Sequence, residues 1–150
     1  MENKHLFQAR LSWQEQKGNR YTKNHTISLD GKPDLNVSAA KAFKGDPSQY
    51  NPEDLLLSSL ASCHMMSYLY VCNQNGIEVV SYTDTAVATL EVTADGSGRF
   101  IEAKLFPKVI IKQKEKVALA LSLHQKANEL CFIANSCNFP IVHLASCEAV

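Results

Sequence analysis

The stretch that decides the fold is Asn51-Pro52-Glu53-Asp54-Leu55-Leu56. Asparagine is a favoured helix N-cap, proline suits the first helical position, and two carboxylates follow at the positive end of the helix dipole. The apolar run continues to Asn75, and Gly76 is a typical helix stop. The sequence therefore predicts a helix from Asn51 to Asn75, about 37 Å long.

This predicted helix is apolar around most of its circumference. A helix of that kind must be buried nearly all round. A chain of 150 residues offers little to cover it, so we expect a second copy to cover one face. The apolar residues on one side are Leu56, Leu60, Cys63, Met66 and Tyr70, and those near another side are Leu55, Met65, Leu69 and Cys72.

The residues before the helix read as β-structure. Alternation from Phe7 to Gln14 predicts a half-buried strand. A turn at Lys17-Gly18-Asn19, a hairpin signal at Asp30-Gly31 and a loop from Phe43 to Tyr50 punctuate the rest. The further strands are expected at His25 to Leu29 and Leu35 to Ala39.

The residues after the helix predict a second hairpin, a second helix and a last strand. Two long strands, Glu78 to Thr93 and Arg99 to Lys112, flank the turn Asp95-Gly96-Ser97-Gly98. A helix over about Lys114 to Leu130 and a strand at Pro140 to Ala145 complete the chain. This order predicts an α+β fold in a single domain, residues 1–150, and not a repeated βαβ unit.

Composition narrows the class of partner. Lysine plus arginine and aspartate plus glutamate both number 15, the formal charge is zero, and no basic stripe indicates nucleic acid.

Two segments bear on localisation. The segment Met1 to Phe7 has no apolar core of signal-peptide length. Serines and His64 interrupt the stretch Leu55 to Cys72, which we expect to be too polar for a membrane span. A cytoplasmic protein is therefore expected.

The five cysteines are Cys63, Cys72, Cys131, Cys137 and Cys147. Their number is odd, no CxxC pair occurs, and the expected compartment is reducing, which argues against a structural disulfide framework. Cys72 and Cys147 are interpreted as small buried hydrophobic residues. Cys63 and Cys131, taken one at a time, are also more typical of a core than of a nucleophile.

Two blocks together give those cysteines another meaning, because they resemble the OsmC/Ohr family of organic hydroperoxide reductases. The first is Asn51 to Leu56 followed by Ala61-Ser62-Cys63, which is similar to the family's NPE-x-L helix start with the peroxidatic cysteine ten residues after the glutamate. The second is Ala127-Asn128-Glu129-Leu130-Cys131, similar to the segment with the second redox cysteine. The resemblance covers nearly the whole chain.

The resemblance implies an intertwined OsmC-like dimer, with antiparallel sheets packed around two long central helices, and a thiol peroxidase. Cys63 would attack an organic hydroperoxide, Cys131 would form a disulfide with the resulting sulfenic acid, and an external dithiol would reduce it. An arginine held by Glu53 would stabilise the thiolate. Arg20 is the first choice for that cation, with Lys41 and Lys44 as alternatives. No metal, flavin or nicotinamide is implied.

Several features depart from the family pattern. His64 follows Cys63, where the family usually has an apolar aromatic residue, and Phe132 follows Cys131, where proline is common.

The distance between Glu53 and Cys63 limits how one site can be built. Ten residues of one straight helix separate Glu53 from Cys63 by about 15 Å. Either the first turn is displaced, or the carboxylate and the sulfur of one site come from different chains.

Other interpretations stay open at this point. His64 could act as a base, although neighbouring helix positions point about 100° apart. His124 and His143 are expected to be satisfied packing residues. A zinc site is a rival, but the histidines and cysteines lack ligand-pair spacing. A dimeric protein that binds a hydrophobic ligand without peroxidase activity is the alternative function.

Overall fold

A computed structural model describes residues 3–150, so Met1 and Glu2 of the segment assessed as a signal lie outside the described residues. The chain forms two compact units, one ending at Leu56 and one spanning Leu57–Val150. The first unit contains one sheet and the second contains two. Along the chain, the two α-helices separate groups of strands, which is the predicted α+β order. The assignment of residues 1–150 to one domain stays a prediction.

The first unit contains an antiparallel sheet in the order β1-β2-β3. Its strands are β1, Arg10–Ser12, β2, His25–Ser28, and β3, Leu35–Val37. The predicted half-buried character of the first strand is wrong, because Phe7 is 90% and Leu11 67% exposed. The physical reason is that neither buried apolar cluster of the described residues includes a side chain of β1.

The loop between the sheet and the main helix depends on a glycine. The chain passes through a short 3-10 turn, Lys41–Phe43, before Gly45. A Cβ at Gly45 would lie 1.7 Å from the carbonyl oxygen of Ala39, which no other residue could tolerate without a backbone shift. The next amide, that of Asp46, donates to the Ser38 hydroxyl oxygen at 3.0 Å and fixes the loop.

The main helix, α1, spans Pro52–Gln74 and confirms the central prediction. The Asp54 amide donates to Asn51 Oδ1 at 2.8 Å, which is the expected N-cap hydrogen bond. Gly76 adopts φ +62 just beyond the C-terminus, a left-handed conformation that ends helices. The helix is continuous from Pro52, so its first turn is not displaced.

The two long strands predicted after α1 are four strands. They are β4, Val79–Thr83, β5, Val87–Val92, β6, Gly98–Leu105, and β7, Lys108–Ile111. The breaks fall at Asp84 and Pro107, and the Asp84 side chain accepts the Phe106 amide at 2.7 Å. Proline has no amide to donate to a ladder, so the long hairpin bends there and its halves enter different sheets.

The last third of the chain adds a helix and two strands. A 3-10 turn, Lys114–Lys116, leads into α2, Val117–Leu130. The single last strand that was expected is two strands, β8, Ile141–His143, and β9, Ser146–Ala149. They extend the two sheets to β5-β6-β8 and β4-β7-β9, and both added pairings are parallel.

Two apolar clusters lie within the second unit. The larger joins α1, α2 and β7 through buried residues that include Tyr68, Ile111 and Ala127. The smaller joins Leu60 of α1, Ala103 of β6 and Cys131 just after α2. Cys131 therefore belongs to the smaller cluster, and Cys63 packs against that cluster.

The helix α1 is long and apolar enough, by length and composition alone, to cross a bilayer. The expectation that this stretch is too polar for a span is wrong by that measure. The core helix of a soluble protein passes the same test, and α1 buries Tyr68, Val71 and Cys72 in the larger cluster. Burial against a sheet and a second helix is typical of a core helix.

Candidate active site

The structure brings Cys63 and Cys131 together. Cys63 lies on α1 and packs, half-buried, against the cluster that contains Cys131, which is fully buried. The Cys63 side chain lies close enough to Cys131 to raise the pKa of the Cys131 thiol, and both residues are free thiols. A disulfide needs sulfurs about 2 Å apart, so a small movement of two side chains already in contact would allow one to form.

The end of α2 holds Cys131 in place. The Cys131 amide donates to the Asn128 carbonyl at 3.2 Å, and the Cys131 carbonyl accepts the Asn135 amide at 2.9 Å. The Cys131 sulfur accepts the Ala134 amide at 3.4 Å. The sulfur is therefore fixed by backbone contacts on the C-terminal side of the helix.

The protonation of Cys131 follows from its surroundings. Burial is the largest cause that raises the pKa of the Cys131 thiol to about 11; the Ala134 amide opposes it, and the neighbouring Cys63 adds to it. At neutral pH Cys131 is a thiol, and a thiol can donate its proton to a neighbouring sulfur. The pair is thus asymmetric in exposure: Cys63 is partly accessible and Cys131 is enclosed.

The remaining cysteines lie elsewhere. Cys72 is fully buried in the larger cluster, as expected, and Cys147 of β9 packs beside that cluster while partly exposed. Cys137 follows a short 3-10 turn, Ala134–Ser136, and donates its amide to the Ala134 carbonyl at 3.1 Å. Burial raises the pKa of all three thiols.

The predicted charged residues fall in the first unit. Glu53 lies in the first turn of α1, and its Oε2 atom is buried with no hydrogen-bond partner within the described residues. Arg20 is exposed next to the Gly18 turn, and Lys41 and Lys44 are also exposed. The ion pairs found within the described part of the chain join none of these cations to Glu53.

Beside the cysteine pair, on the next residue of α1, begins a stack of histidines that sequence reasoning did not predict. His64 is 1% exposed, and its Nε2 lies 3.0 Å from Nδ1 of His124 on α2. The His64 ring stacks on His143 of β8 at 4.3 Å between centroids. The His124 ring stacks on Tyr68 at 4.0 Å. The sequence contains one indication of this stack: His64 and Tyr68 are four residues, or about one helical turn, apart and so lie on the same face of α1.

These contacts change two expectations. His64 faces two other imidazoles, and burial together with His143 and His124 lowers the pKa of His64 to about 3. His124 and His143 do pack, but the expectation that they are satisfied is wrong, because the Nε2 atom of each is buried without a hydrogen-bond partner. The cause is the long-range arrangement of α2 and β8, which spacing does not show.

Zinc, the first rival interpretation, has no matching arrangement. Within residues 3–150, no three side chains of histidine, cysteine, aspartate or glutamate are placed to hold one ion. The His64 Nε2 atom is already hydrogen-bonded to His124, so its lone pair or proton is in use.

Three features together define a class of protein: an α+β fold with a long capped helix, a cysteine on that helix, and a second cysteine beside the first. Residues 45–143 match the family described as OsmC-like protein, which is most of the chain. The protein belongs to the OsmC-like family, as the sequence blocks around Cys63 and Cys131 predicted.

Individual relatives agree with this assignment. The chain is 26% identical to the uncharacterized protein YmaD of Bacillus subtilis, over 88% of this chain and 86% of that protein. An OsmC-like protein of unknown function from Vibrio cholerae is 26% identical, with a TM-score of 0.84 over 98% of this chain and all of the other. An organic hydroperoxide resistance protein from Elizabethkingia anophelis is 19% identical, with a TM-score of 0.74 over the full length of both, and shows the shared fold.

Proposed function

We propose that this protein is a cysteine-based, peroxiredoxin-like peroxidase that reduces organic hydroperoxides to alcohols. The observation that carries the proposal is the contact between Cys63 and Cys131, two free thiols on different elements of an OsmC-like chain. A peroxide-related role fits the family, in which structural neighbours include organic hydroperoxide resistance proteins. A role in the response to oxidative stress in the cytoplasm follows from the same proposal.

The first step is a displacement at oxygen. The Cys63 thiolate attacks the terminal oxygen of the hydroperoxide, the O–O bond breaks, and the alkoxide takes a proton and leaves as the alcohol. Cys63 is oxidised to a sulfenic acid. Cys63 suits this step because it is the accessible member of the pair.

The second step forms the disulfide. The Cys131 sulfur attacks the sulfenic sulfur, a sulfur–sulfur bond forms, and water leaves with the thiol proton. Because Cys131 keeps its proton until Cys63 is oxidised, the reduced pair rests as a thiol beside the reactive sulfur. An external dithiol then reduces the disulfide and is itself oxidised to a cyclic or intermolecular disulfide.

Thiolate stabilisation requires a cation beside Cys63. We assign this role to Arg20, held by Glu53, with Lys41 and Lys44 as the alternatives. The unpartnered Oε2 of Glu53 supports the assignment, because a buried carboxylate oxygen needs a donor. Since α1 is continuous and Glu53 and Cys63 are about 15 Å apart along it, the carboxylate of each site is assigned to the second copy in a homodimer.

The dimer gives a prediction of its own. Met66 and Tyr70 of α1 are 57% and 58% exposed in the single chain, although the helix is a core helix. Sedimentation equilibrium at micromolar concentration should give twice the 16.6 kDa chain mass. Met66→Lys should shift the protein toward the monomer, because the lysine ammonium would be buried at the interface. Gln74→Lys, on an exposed polar position of the same helix, is the control and should leave the mass unchanged. A wild type that stays monomeric would remove the shared-site assignment.

The resolving step gives a second prediction. Cys131→Ser should consume one equivalent of hydroperoxide rapidly and stop at a sulfenic acid that dimedone traps. Turnover with a dithiol should fall on the order of 100-fold, because the resolving thiol loses its high effective concentration. Excess peroxide should then convert Cys63 to sulfinic acid. Intact-mass spectrometry separates these products.

Cys137→Ser is the control, since Cys137 lies six residues beyond Cys131 and is the other thiol that could reach Cys63, although it is partly buried where Cys131 is fully buried. It should cycle at the wild-type rate. A Cys131→Ser enzyme that cycles normally, or a Cys63–Cys137 bridge in the oxidised wild type, would show that Cys131 is the wrong resolving residue while the peroxidase proposal stands.

The proposal as a whole is tested by turnover with tert-butyl, cumene and lipid hydroperoxides against hydrogen peroxide, with dihydrolipoamide or thioredoxin as reductant. We expect faster reduction of the organic substrates. Tight binding of hydrophobic molecules without any peroxide consumption would instead favour the non-enzymatic alternative.

A further inference from the structure

The cysteine pair and the histidine stack share two helices. Cys63 is followed on α1 by His64, and Cys131 lies just after the last residue of α2, seven positions beyond His124. A hydrogen bond of 3.0 Å joins Nε2 of His64 to Nδ1 of His124. Each helix therefore carries or leads into one cysteine of the pair and supplies one side of this buried hydrogen bond.

Two buried hydrogen bonds fix how α1 and α2 run past each other. His64 meets His124, and one turn further along α1 the Tyr68 hydroxyl donates to the Ala120 carbonyl at 3.0 Å. Residue numbers rise on α1 as they fall on α2, so the helices run in opposite directions along this contact. One turn nearer the start of α1, Leu60 lies in the smaller cluster. The His64–His124 bond is therefore located between the Tyr68 contact and the cysteines.

Burial makes this hydrogen bond a directional constraint. His64 is 1% and His124 3% exposed, so water hardly competes for the two nitrogens. Burial lowers the pKa of His64 to about 3 and that of His124 to about 4, so both rings are neutral at pH 7.5. A neutral ring has one donor and one acceptor nitrogen, so one ring donates and the other accepts. Sliding of α2 along α1 would leave both nitrogens buried and unpaired, which costs free energy.

Ring stacking supports the two histidines and extends the contact to β8. The His64 ring stacks on His143 of β8 at 4.3 Å, and the His124 ring stacks on Tyr68 at 4.0 Å. Ile141 lies two residues before His143 on the same face of β8 and packs against the smaller cluster. The strand β8 therefore contacts both the histidine stack and the cluster that contains the cysteines.

Disulfide formation depends on the placement of the two sulfurs. The bond requires sulfurs about 2 Å apart and a narrow range of dihedral angles. The Cys131 sulfur is enclosed and accepts the Ala134 amide at 3.4 Å, so its position follows the backbone at the end of α2. A misplacement of 1 Å can lower the rate of such a reaction on the order of 100-fold. The position of the end of α2 relative to α1 therefore determines how readily the pair closes.

We propose that His64 and His124 are positioning residues for the Cys63–Cys131 disulfide. Their hydrogen bond holds the end of α2 against α1 in the register that the resolving step requires. The inference rests on the proposed peroxidase function, because it concerns the second step of that reaction. Neither imidazole touches the peroxide, and both act through the placement of Cys131.

The test measures the equilibrium between dithiol and disulfide in the full-length protein. Each variant is equilibrated at pH 7.5 with reduced and oxidised glutathione, so that one oxidised glutathione becomes two reduced molecules for each protein disulfide formed. Alkylation and peptide mapping then quantify the Cys63–Cys131 bond. His64→Phe keeps a ring against His143 but has no nitrogen, and its equilibrium constant should fall about 10-fold or more. His64→Gln can place an amide group near the Nε2 position and should stay within about 3-fold of the wild type.

Tyr68→Phe is the matched control. It also removes a buried hydrogen bond between α1 and α2 and keeps the ring that stacks on His124, but the lost bond lies one turn further from Cys63. It should lower the free energy of unfolding and leave the disulfide equilibrium constant within about 2-fold of the wild type, because independent sites contribute separately. Urea unfolding of the reduced proteins measures the first effect. The redox equilibrium therefore separates positioning of the cysteines from general stability.

A second variant keeps the test decisive. His124→Leu removes the same hydrogen bond from the other helix, and whichever of His64→Phe and His124→Leu folds should show the fall. A wild-type constant in a folded variant overturns the positioning role, as does an equal fall in Tyr68→Phe. A His64→Gln protein no better than His64→Phe overturns the role of the hydrogen bond. A wild type that forms no Cys63–Cys131 disulfide in any glutathione mixture contradicts the proposed function itself, and the positioning role with it.

Discussion

Cys63→Ser should reduce hydroperoxide turnover by at least roughly 1,000-fold and leave the fold intact. A serine hydroxyl stays protonated at neutral pH and is a far weaker nucleophile than a thiolate, so the first displacement has no replacement group. The substitution changes one atom at a half-buried position of α1. Peroxide consumption in a dithiol-coupled assay measures the first effect, and thermal unfolding measures the second.

Two controls make this result specific. Cys137→Ser tests whether loss of any partly buried cysteine lowers turnover, and it should retain the wild-type rate. Alkylation of wild-type protein with a single equivalent of iodoacetamide, followed by peptide mapping, should label Cys63 first, because Cys131 is fully enclosed and burial raises the pKa of the other partly exposed thiols, Cys137 and Cys147. Wild-type turnover by Cys63→Ser would end its assignment as the nucleophile.

Helix α1 shows what local sequence can determine. Its limits follow from groups within a few residues of each end, the Asn51 cap and the left-handed Gly76, and both act as predicted. Strand limits were less accurate because they depend on partners elsewhere. The bend at Asp84 exists because that carboxylate meets the Phe106 amide, twenty-two residues further on.

The cysteine pair and the histidine stack differ in the same way: sequence predicts the first and not the second. Resemblance to a family is what predicts the pair Cys63 and Cys131, and in the structure these two side chains are neighbours. The histidine stack joins α1, α2 and β8, and β8 was not resolved from β9 in the sequence pattern. Interactions between residues sixty or more positions apart leave no periodic signal, so the orphaned nitrogens could only be found in three dimensions.

The histidine stack should make the protein strongly sensitive to acid. Burial lowers the pKa of His64 to about 3 and that of His124 to about 4, and it also lowers the pKa of His143. In the unfolded chain these groups have pKa values of about 6.5. Between about pH 6.5 and 4 the unfolded state therefore binds more protons, so the free energy of unfolding decreases as the pH falls.

The size of the effect follows from proton counting. Near pH 5, His64 and His124 are neutral when folded and mostly protonated when unfolded, a difference of about two protons. Each proton corresponds to about 1.4 kcal/mol per pH unit, so these two residues contribute a slope of about 2.7 kcal/mol per pH unit. Over two pH units this is comparable to the whole stability of an ordinary domain. Urea unfolding at fixed protein concentration, from pH 7.5 to 4.5, measures it.

His64→Phe isolates the contribution of the stack. Phenylalanine keeps a planar ring against His143 but cannot titrate, so the slope between pH 6 and 4.5 should decrease by about 1.4 kcal/mol per pH unit. The variant should also be less stable at pH 7.5, by about 1 to 3 kcal/mol, because Nδ1 of His124 loses its hydrogen bond to His64. The two effects have opposite signs in acid, so the wild-type and variant curves should converge as the pH falls. His5→Gln, at an exposed position, should leave the slope unchanged. Parallel curves for wild type and His64→Phe would show that His64 titrates alike in the folded and unfolded chains.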